Sequence, residues 1–544
     1  MSTSPSVSSR TPILTVGTAV TAAATLLAAV PSGRLAAQST RPERTDGAET
    51  SSYADVLDFL DSLSRAGAPI QIGTLGTSPE GRILPYVIAA RPMTPTPGDA
   101  QRSGKPIIYI QGNIHSGEVE GKEAAQMLLR DLTVGPLAAL LDSVIVIMVP
   151  IYNADGNERI GPGEKTRPGQ NGPALVGPST NGQGLNLNRD YVKLEAPETR
   201  ASYALLDRWE PNIFIDLHTT NGSYHGYALT WAPGLNPNSS PANDYARDRF
   251  LPTVRERLKK RFRLETFPYG NFRNQERDSL MLGWETYDAR PRFGTNAMGM
   301  RGRIPILSEG YSNDPFPVRI RSTYLFLKEI LSLAAEERTA IKRVVLASAQ
   351  WRPDSVALRS TLAPPSQQEV IAEITESDGD GSHGFARRRR TGVFKSIRMP
   401  VFDRFSGAEK TPRPAGYLLP PQYAQLVQLL RAQGVTVARF QTDWNGEVES
   451  FTVDSLAVAP FVFEGHRTIT VTGHWTPAPA VLTAGGYYVS TDQRLGVFAA
   501  YLLEPASEDG YATWNLLDRD LRKGQEAPVL RLRTAPRVPM LLVE

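Results

Sequence analysis

Apolar residues recur with two different periods over the first two thirds of the chain. Short, nearly unbroken apolar runs predict strands at 70–75, 83–89, 106–111, 144–149, 213–217 and 304–307. Runs with apolar residues three and four apart predict helices, beginning at Tyr53 and recurring at 118–132, 197–209, 243–262 and 317–341. Strands that are apolar on both faces and alternate with helices imply an α/β fold, a layered sandwich around a mixed, mostly parallel sheet. Residues 160–184 interrupt this pattern, being rich in Gly, Pro, Asn and Gln with no usable period. A structureless loop of that length in a compact domain is uncommon and is functional or disordered. Near Trp351 the rhythm changes to shorter β-type runs at 456–463, 467–472 and 486–490, with one helix at 422–433 and a strand-like stretch at 435–440. The expectation is an α/β domain over 53–345 followed by a β-rich α+β domain over 350–544.

Composition narrows the function classes. Hydrophobic content of 41% and charged content of 21% suit a globular chain, and a net charge of +3 over 544 residues argues against nucleic-acid binding. The one dense basic run, Arg387 to Arg390, follows the acidic, glycine-rich stretch 376–381 and reads as a solvated loop before it reads as an anion site. Without cysteine the chain has no disulfide, no thiolate-ligated metal and no thiol nucleophile. Arg10 precedes an apolar, small-residue stretch at 13–30 that ends near Leu35-Ala36-Ala37-Gln38. That pattern resembles a signal peptide over 1–38, with an uncleaved anchor as the alternative. It implies a secreted or periplasmic protein with no stable membrane insertion after cleavage. The polar residues 39–52 read as a disordered leader.

Candidate chemistry gathers at predicted strand ends. His115 follows the apolar run 107–110, and Glu118 lies three residues on. A His and a Glu at the C-terminal edge of a strand can point into the crevice where open α/β sheets bind ligands. Both are good zinc ligands, and a catalytic zinc takes three protein ligands and leaves a position open. Alone, the pair is a weak signal. His218 ends a second apolar strand, with Asp216 on the same face as either its partner or a solvent contact. Glu309 ends a third, where a carboxylate needs a partner or a function because burying it alone is costly. Beside a metal it would serve as general base.

In this order and on these element types, the residues resemble the zinc carboxypeptidase family, the carboxypeptidase A/B-like metallopeptidases. Three further stretches agree: Leu75 to Arg82, Asn153-Ala154-Asp155-Gly156, and Leu187-Asn188-Arg189-Asp190-Tyr191. The resemblance covers roughly 53–341. It implies a zinc carboxypeptidase-like α/β/α sandwich and one zinc ion held by His115, Glu118 and His218, with Glu309 as the catalytic carboxylate. It further implies that Asn188 and Arg189 receive a substrate carboxylate, that Arg167 polarises the scissile carbonyl, and that Tyr287 caps the bound substrate. The implied activity is hydrolysis of the C-terminal peptide bond of a peptide. Alternatives are an amidase or endopeptidase acting on cell-wall peptides or N-acyl amino acids, and a non-catalytic peptide- or glycan-binding protein. Two features depart from the family pattern. Gly117 stands where a second arginine is expected, and the stretch before Glu309 is rich in arginine (Arg290, Arg292, Arg301, Arg303), either to favour an acidic substrate group or to pair with surface carboxylates. His225 reads as a loop residue, and His383, His466 and His474 are assigned to no metal.

Overall fold

Eight strands build the central sheet: β1 (Ile70–Thr77), β2 (Ile83–Ala89), β3 (Ile107–Gly112), β4 (Ile145–Val149), β5 (Ile213–Thr219), β6 (Leu229–Ala232), β7 (Thr266–Pro268) and β8 (Ile304–Gly310). The structure is a computed structural model that describes residues 38–275, 280–377, 388–517 and 520–543. Strand order is β1-β2-β4-β3-β5-β8-β6-β7. Its central pairings, β4 with β3, β3 with β5 and β5 with β8, are parallel, as is β6 with β7, while β1–β2, β2–β4 and β8–β6 are antiparallel.

Every residue of β3, β4, β5 and β8 is buried, because helices cover both faces. On one face Ile108, Ile110, Ile213, Ile215, Ile304 and Ile306 pack with Leu128 and Leu132 of α1 (Glu120–Thr133) and with Phe326 and Ile330 of α3 (Phe316–Glu336). On the other, Ile107, Tyr109, Ile147 and Phe214 meet Tyr203, Leu206 and Trp209 of α2 (Pro197–Trp209). The α/β/α sandwich follows from the period-two strands being apolar on both sides.

The leader expectation is corrected. Residues 39–52 are ordered, with a helix over Arg41–Arg44. The cause is a buried carboxylate on α1: Glu123 accepts hydrogen bonds from the Ser51 amide at 2.8 Å and the Ser51 hydroxyl at 2.7 Å, and Lys122 donates to the Ser51 carbonyl. A polar segment is held where it satisfies charges that α1 buries. The proposed signal peptide lies, except for Gln38, outside the described residues. Among those residues, no helix is long and apolar enough to cross a membrane.

Beyond Ala349 the chain forms a seven-stranded sheet and smaller β-units. Its longest pairing is the hairpin β9 (Trp444–Val458) and β10 (Ile469–Leu482). From Gln38 onward the chain is one compact unit. Val192 and Met300 of the first part enter the apolar core of the second. The basic run is also corrected: Arg388, Arg389 and Arg390 lie in a strand over Arg388–Phe402, registered opposite Ser377, Glu376 and Thr375, with Arg390 reaching Glu373 at 2.7 Å. Arg389 and Arg390 are exposed as expected but stand in a strand rather than a loop, paired across to Glu376 and Glu373. Arg387 lies outside the described residues.

Candidate metal centre

Strand register sets the site. In the parallel pairing of β5 with β8, His218 stands directly opposite Glu309, so both side chains leave the sheet on one face. β3 ends at Gly112, and the turn that follows presents His115 and then Glu118, whose amide donates to the His115 carbonyl at 2.9 Å. The glycine at 112 sits against the α1 backbone: a Cβ there would meet Gly121 at 3.2 Å. The helix is thereby drawn close beneath the site.

The Nδ1 atom of His115 lies 3.0 Å from one Glu118 oxygen, and the Nδ1 atom of His218 lies 2.9 Å from the other. Ligand atoms of the three side chains lie within 4.8 Å of one another, and among the described residues this is the one such grouping. Each outward nitrogen also has a partner. His115 Nε2 is 3.0 Å from Asn186 Oδ1, and His218 Nε2 is 3.0 Å from Asp216 Oδ2. Two imidazoles and a carboxylate turned inward, with their outer edges anchored, fit zinc in its catalytic form.

Electrostatics follow from burial. Desolvation alone would raise the Glu118 carboxyl, but Arg167 at 2.9 Å and the two imidazoles hold it well below the usual carboxylate range. Burial disfavours the His218 cation, yet Asp216 and Glu118 override it and raise the imidazole well above its ordinary value. For Glu309 burial wins: it pushes the carboxyl up to about 8, with His218 and Arg167 opposing and Glu118 reinforcing. A dication among the three ligands would draw it back down.

Sequence-derived candidates fall out as follows. Arg167 reaches the site from the long 160–184 loop, donating to the Thr219 carbonyl at 2.7 Å while pairing with Glu118. That loop is ordered. Ser116 donates to the Pro178 carbonyl, Gln170 donates to the Gly117 carbonyl at 3.0 Å, and Arg319 donates to the carbonyls of Asn171 and Gly172, both at 2.7 Å. Asn188 places its amide 3.4 Å from His218 Nε2 and accepts from the Gly294 amide at 2.9 Å. Arg189 lies over Phe293, 4.2 Å from the ring centre, and closes no ion pair among the described residues. Tyr287 is half-buried beside Tyr269 and Phe293, on the flank of Glu309. Gly117 has a steric reason: a Cβ would stand 2.7 Å from the Gly177 carbonyl and 3.3 Å from Arg167, so the loop that carries Arg167 excludes any side chain there. The arginine-rich stretch resolves into pairing. Arg290 joins Asp288, Arg292 joins Asp509, Arg301 joins Asp207 and Arg303 joins Glu210.

Asp216, which the sequence left open, is fully buried against His218. Asn186, Tyr269 and Phe293 escaped sequence reasoning. Asn186 alone had a signal, standing two residues before the Asn188-Arg189 pair.

Comparison with known proteins agrees with this geometry. Residues 56–279 match the family described as zinc carboxypeptidase, a span that holds all three metal-site residues, Arg167, Asn188 and Arg189. Carboxypeptidase 2 of Trichophyton rubrum is 23% identical over 500 residues, covering 87% of this chain and 85% of that protein. Carboxypeptidase 2 of Trichophyton equinum is 25% identical over 483 residues, covering 84% and 81%. A solved metallo-carboxypeptidase from Burkholderia cenocepacia is 18% identical with a TM-score of 0.38, over 54% of this chain and 70% of that one. The histidine–glutamate–histidine centre at the strand ends of an α/β/α sandwich thus lies in a segment, residues 56–279, that matches the zinc carboxypeptidase family.

Proposed function

We propose that the chain is a zinc metallocarboxypeptidase that hydrolyses the C-terminal peptide bond of peptides. The observation that carries the reading is the pairing pattern around the metal centre. Arg167, Arg290 and Arg292 are each committed to a carboxylate, whereas Arg189 is held by Phe293 with no anionic partner among the described residues within ion-pair distance. A guanidinium so placed supports recognition of a terminal carboxylate, because its planar donors suit bidentate binding.

In this reading His115, Glu118 and His218 hold the ion. When bound, zinc acts as a Lewis acid and lowers the pKa of water at the open position. Glu309, facing His218 across the strand pair, takes the proton from the attacking water and delivers it to the amine as the carbon–nitrogen bond breaks. Arg167 stabilises negative charge growing on the carbonyl oxygen. Asn188 and Arg189 hold the substrate's terminal carboxylate, and Tyr287 lines the cleft beside Glu309. The N-terminal pattern at 1–38 supports export, with the mature chain beginning near Gln38, which N-terminal sequencing of the processed protein checks.

The test of the activity is a panel of peptides with free and amidated C-termini. Release of the last residue from the free peptides only is expected, and equal cleavage of both would overturn the exopeptidase reading.

A further inference from the structure

The tip of the β9–β10 hairpin belongs to the second part of the chain, yet it ends at the metal centre. There Phe463 and His466 exchange backbone hydrogen bonds, 2.8 Å and 3.0 Å, around Glu464 and Gly465. Both central residues have positive φ, +49° and +81°. A two-residue turn of this kind favours Asn-Gly or Asp-Gly, and a glutamate at its first position is held against its backbone preference. Strain of this sort persists where surrounding contacts over-determine it. The contacts are present. His466 Nε2 lies 2.8 Å from a Glu195 oxygen, its ring packs edge-on against Trp514, and Phe463 lies against Trp514 and under Arg292.

This turn delivers the half-buried Glu464 carboxylate to the Asn186 amide, which donates to it at 3.1 Å. Asn186 in turn touches His115, and its side-chain oxygen accepts from the Asn188 amide at 3.0 Å. Glu464 is therefore fixed on the segment that ends in Arg189. Burial lowers the Arg189 guanidinium from its ordinary value, and Glu464 is the strongest of the charges that counter this.

We infer that Glu464 is a specificity-determining residue, a fixed negative charge beside Arg189 that disfavours substrates whose terminal residue has an acidic side chain. The inference rests on the proposed role of Arg189 as the carboxylate grip. Once Arg189 holds the terminal carboxylate, a second carboxylate on the same residue meets Glu464 and finds the nearby arginines already paired, Arg290 with Asp288 and Arg292 with Asp509. Like charges in a partly desolvated cleft disfavour binding, and a neutral side chain feels none of it.

The experiment compares full-length, zinc-loaded wild type with Glu464→Gln and Glu464→Lys on N-acyl dipeptides ending in Glu or Leu, each as free acid and amide. The readout is the ratio of kcat/KM for the Glu and Leu substrates in one sample, which cancels any difference in active fraction. Glu464→Gln is expected to raise that ratio about five- to tenfold through KM, and Glu464→Lys to raise it further. An unchanged ratio in both variants, or equal shifts for both substrates, overturns the inference. Loss of discrimination between free acid and amide in wild type is a separate outcome, and it overturns the Arg189 grip on which the inference depends.

Discussion

Substituting Asp216 by Asn tests whether the centre depends on more than its three ligands. The carboxylate is fully buried between two donors, with Oδ1 accepting from the Gln111 amide at 3.0 Å and Oδ2 lying 3.0 Å from His218 Nε2. With Nδ1 turned to the metal, Nε2 must carry the ring proton, so both neighbours of Asp216 present N–H groups. Asparagine keeps the size and loses the match. Whichever way its amide is turned, an NH2 faces either Gln111 or His218. The variant therefore loses one hydrogen bond, and it loses the negative charge that favours imidazole donation.

Losing an outer partner of this kind lowers metal affinity by about 10- to 100-fold, or about 1.4 to 2.8 kcal/mol. Competition titration against a chromogenic chelator measures the zinc affinity directly, and peptide hydrolysis at saturating zinc separates lost metal from lost catalysis. Apoprotein stability is expected to fall as well, because removing one partner of a buried charged pair leaves the His218 imidazolium less compensated. Zinc affinity within twofold of wild type would falsify the argument that Asp216 anchors His218.

Glu309→Gln keeps shape and removes the base, so kcat is expected to fall by about 10²–10⁴ with zinc content and KM little changed; full activity with zinc bound would remove Glu309 from the mechanism. Gly117→Ala places a Cβ 2.7 Å from the Gly177 carbonyl, so a loss of about 1–3 kcal/mol is expected in chemical denaturation, together with weaker activity as Arg167 shifts; an unchanged midpoint would show that the loop yields freely. Glu198 on α2 accepts from the Asn181 amide at 3.1 Å and 3.2 Å, and burial pushes its carboxyl up to about 7. A folded-state value above the unfolded one contributes stability that is complete below about pH 4.5 and gone above about pH 7, at most about 3 kcal/mol. Urea melts from pH 4.5 to 8 on wild type and Glu198→Gln should differ in slope across that window, and parallel curves would refute the assignment.

The catalytic half of the fold was legible because its strands are long and apolar on both faces. β2 matches the expected 83–89, and β3, β4, β5 and β8 differ from the expected runs by only a few residues at either end. The short strands β6 and β7 were not read, since three or four residues acquire strand character only from a neighbour already in the sheet. His115, Glu118, His218 and Glu309 were readable for a related reason: each stands at or just after the end of a run that the apolar pattern marks. Arg167 lies in a loop without period, and its place depends on ties such as Arg319, 148 residues from Asn171. Except for Asp288, two residues from Arg290, the partners of the arginine-rich stretch were hidden likewise. Asp509 is 217 residues from Arg292 and Asp207 is 94 from Arg301, distances over which no local rule operates.

Chemistry and selectivity thus depend on different parts of the chain. The ion-holding residues and Glu309 are fixed by neighbouring strands, where a one-residue change of register would turn His218 or Glu309 to the opposite face. Glu464 reaches Asn186 across 278 residues, on a turn that depends on Trp514 and Glu195 rather than on the sheet. Substitutions in that turn alter which terminal residue fits without moving the ligands, since Asn186 donates to Glu464 through its backbone amide and meets His115 through its side chain. The geometry around the ion therefore tolerates change at 464 in a way that it does not tolerate change at 216, where the anchor of His218 itself is lost.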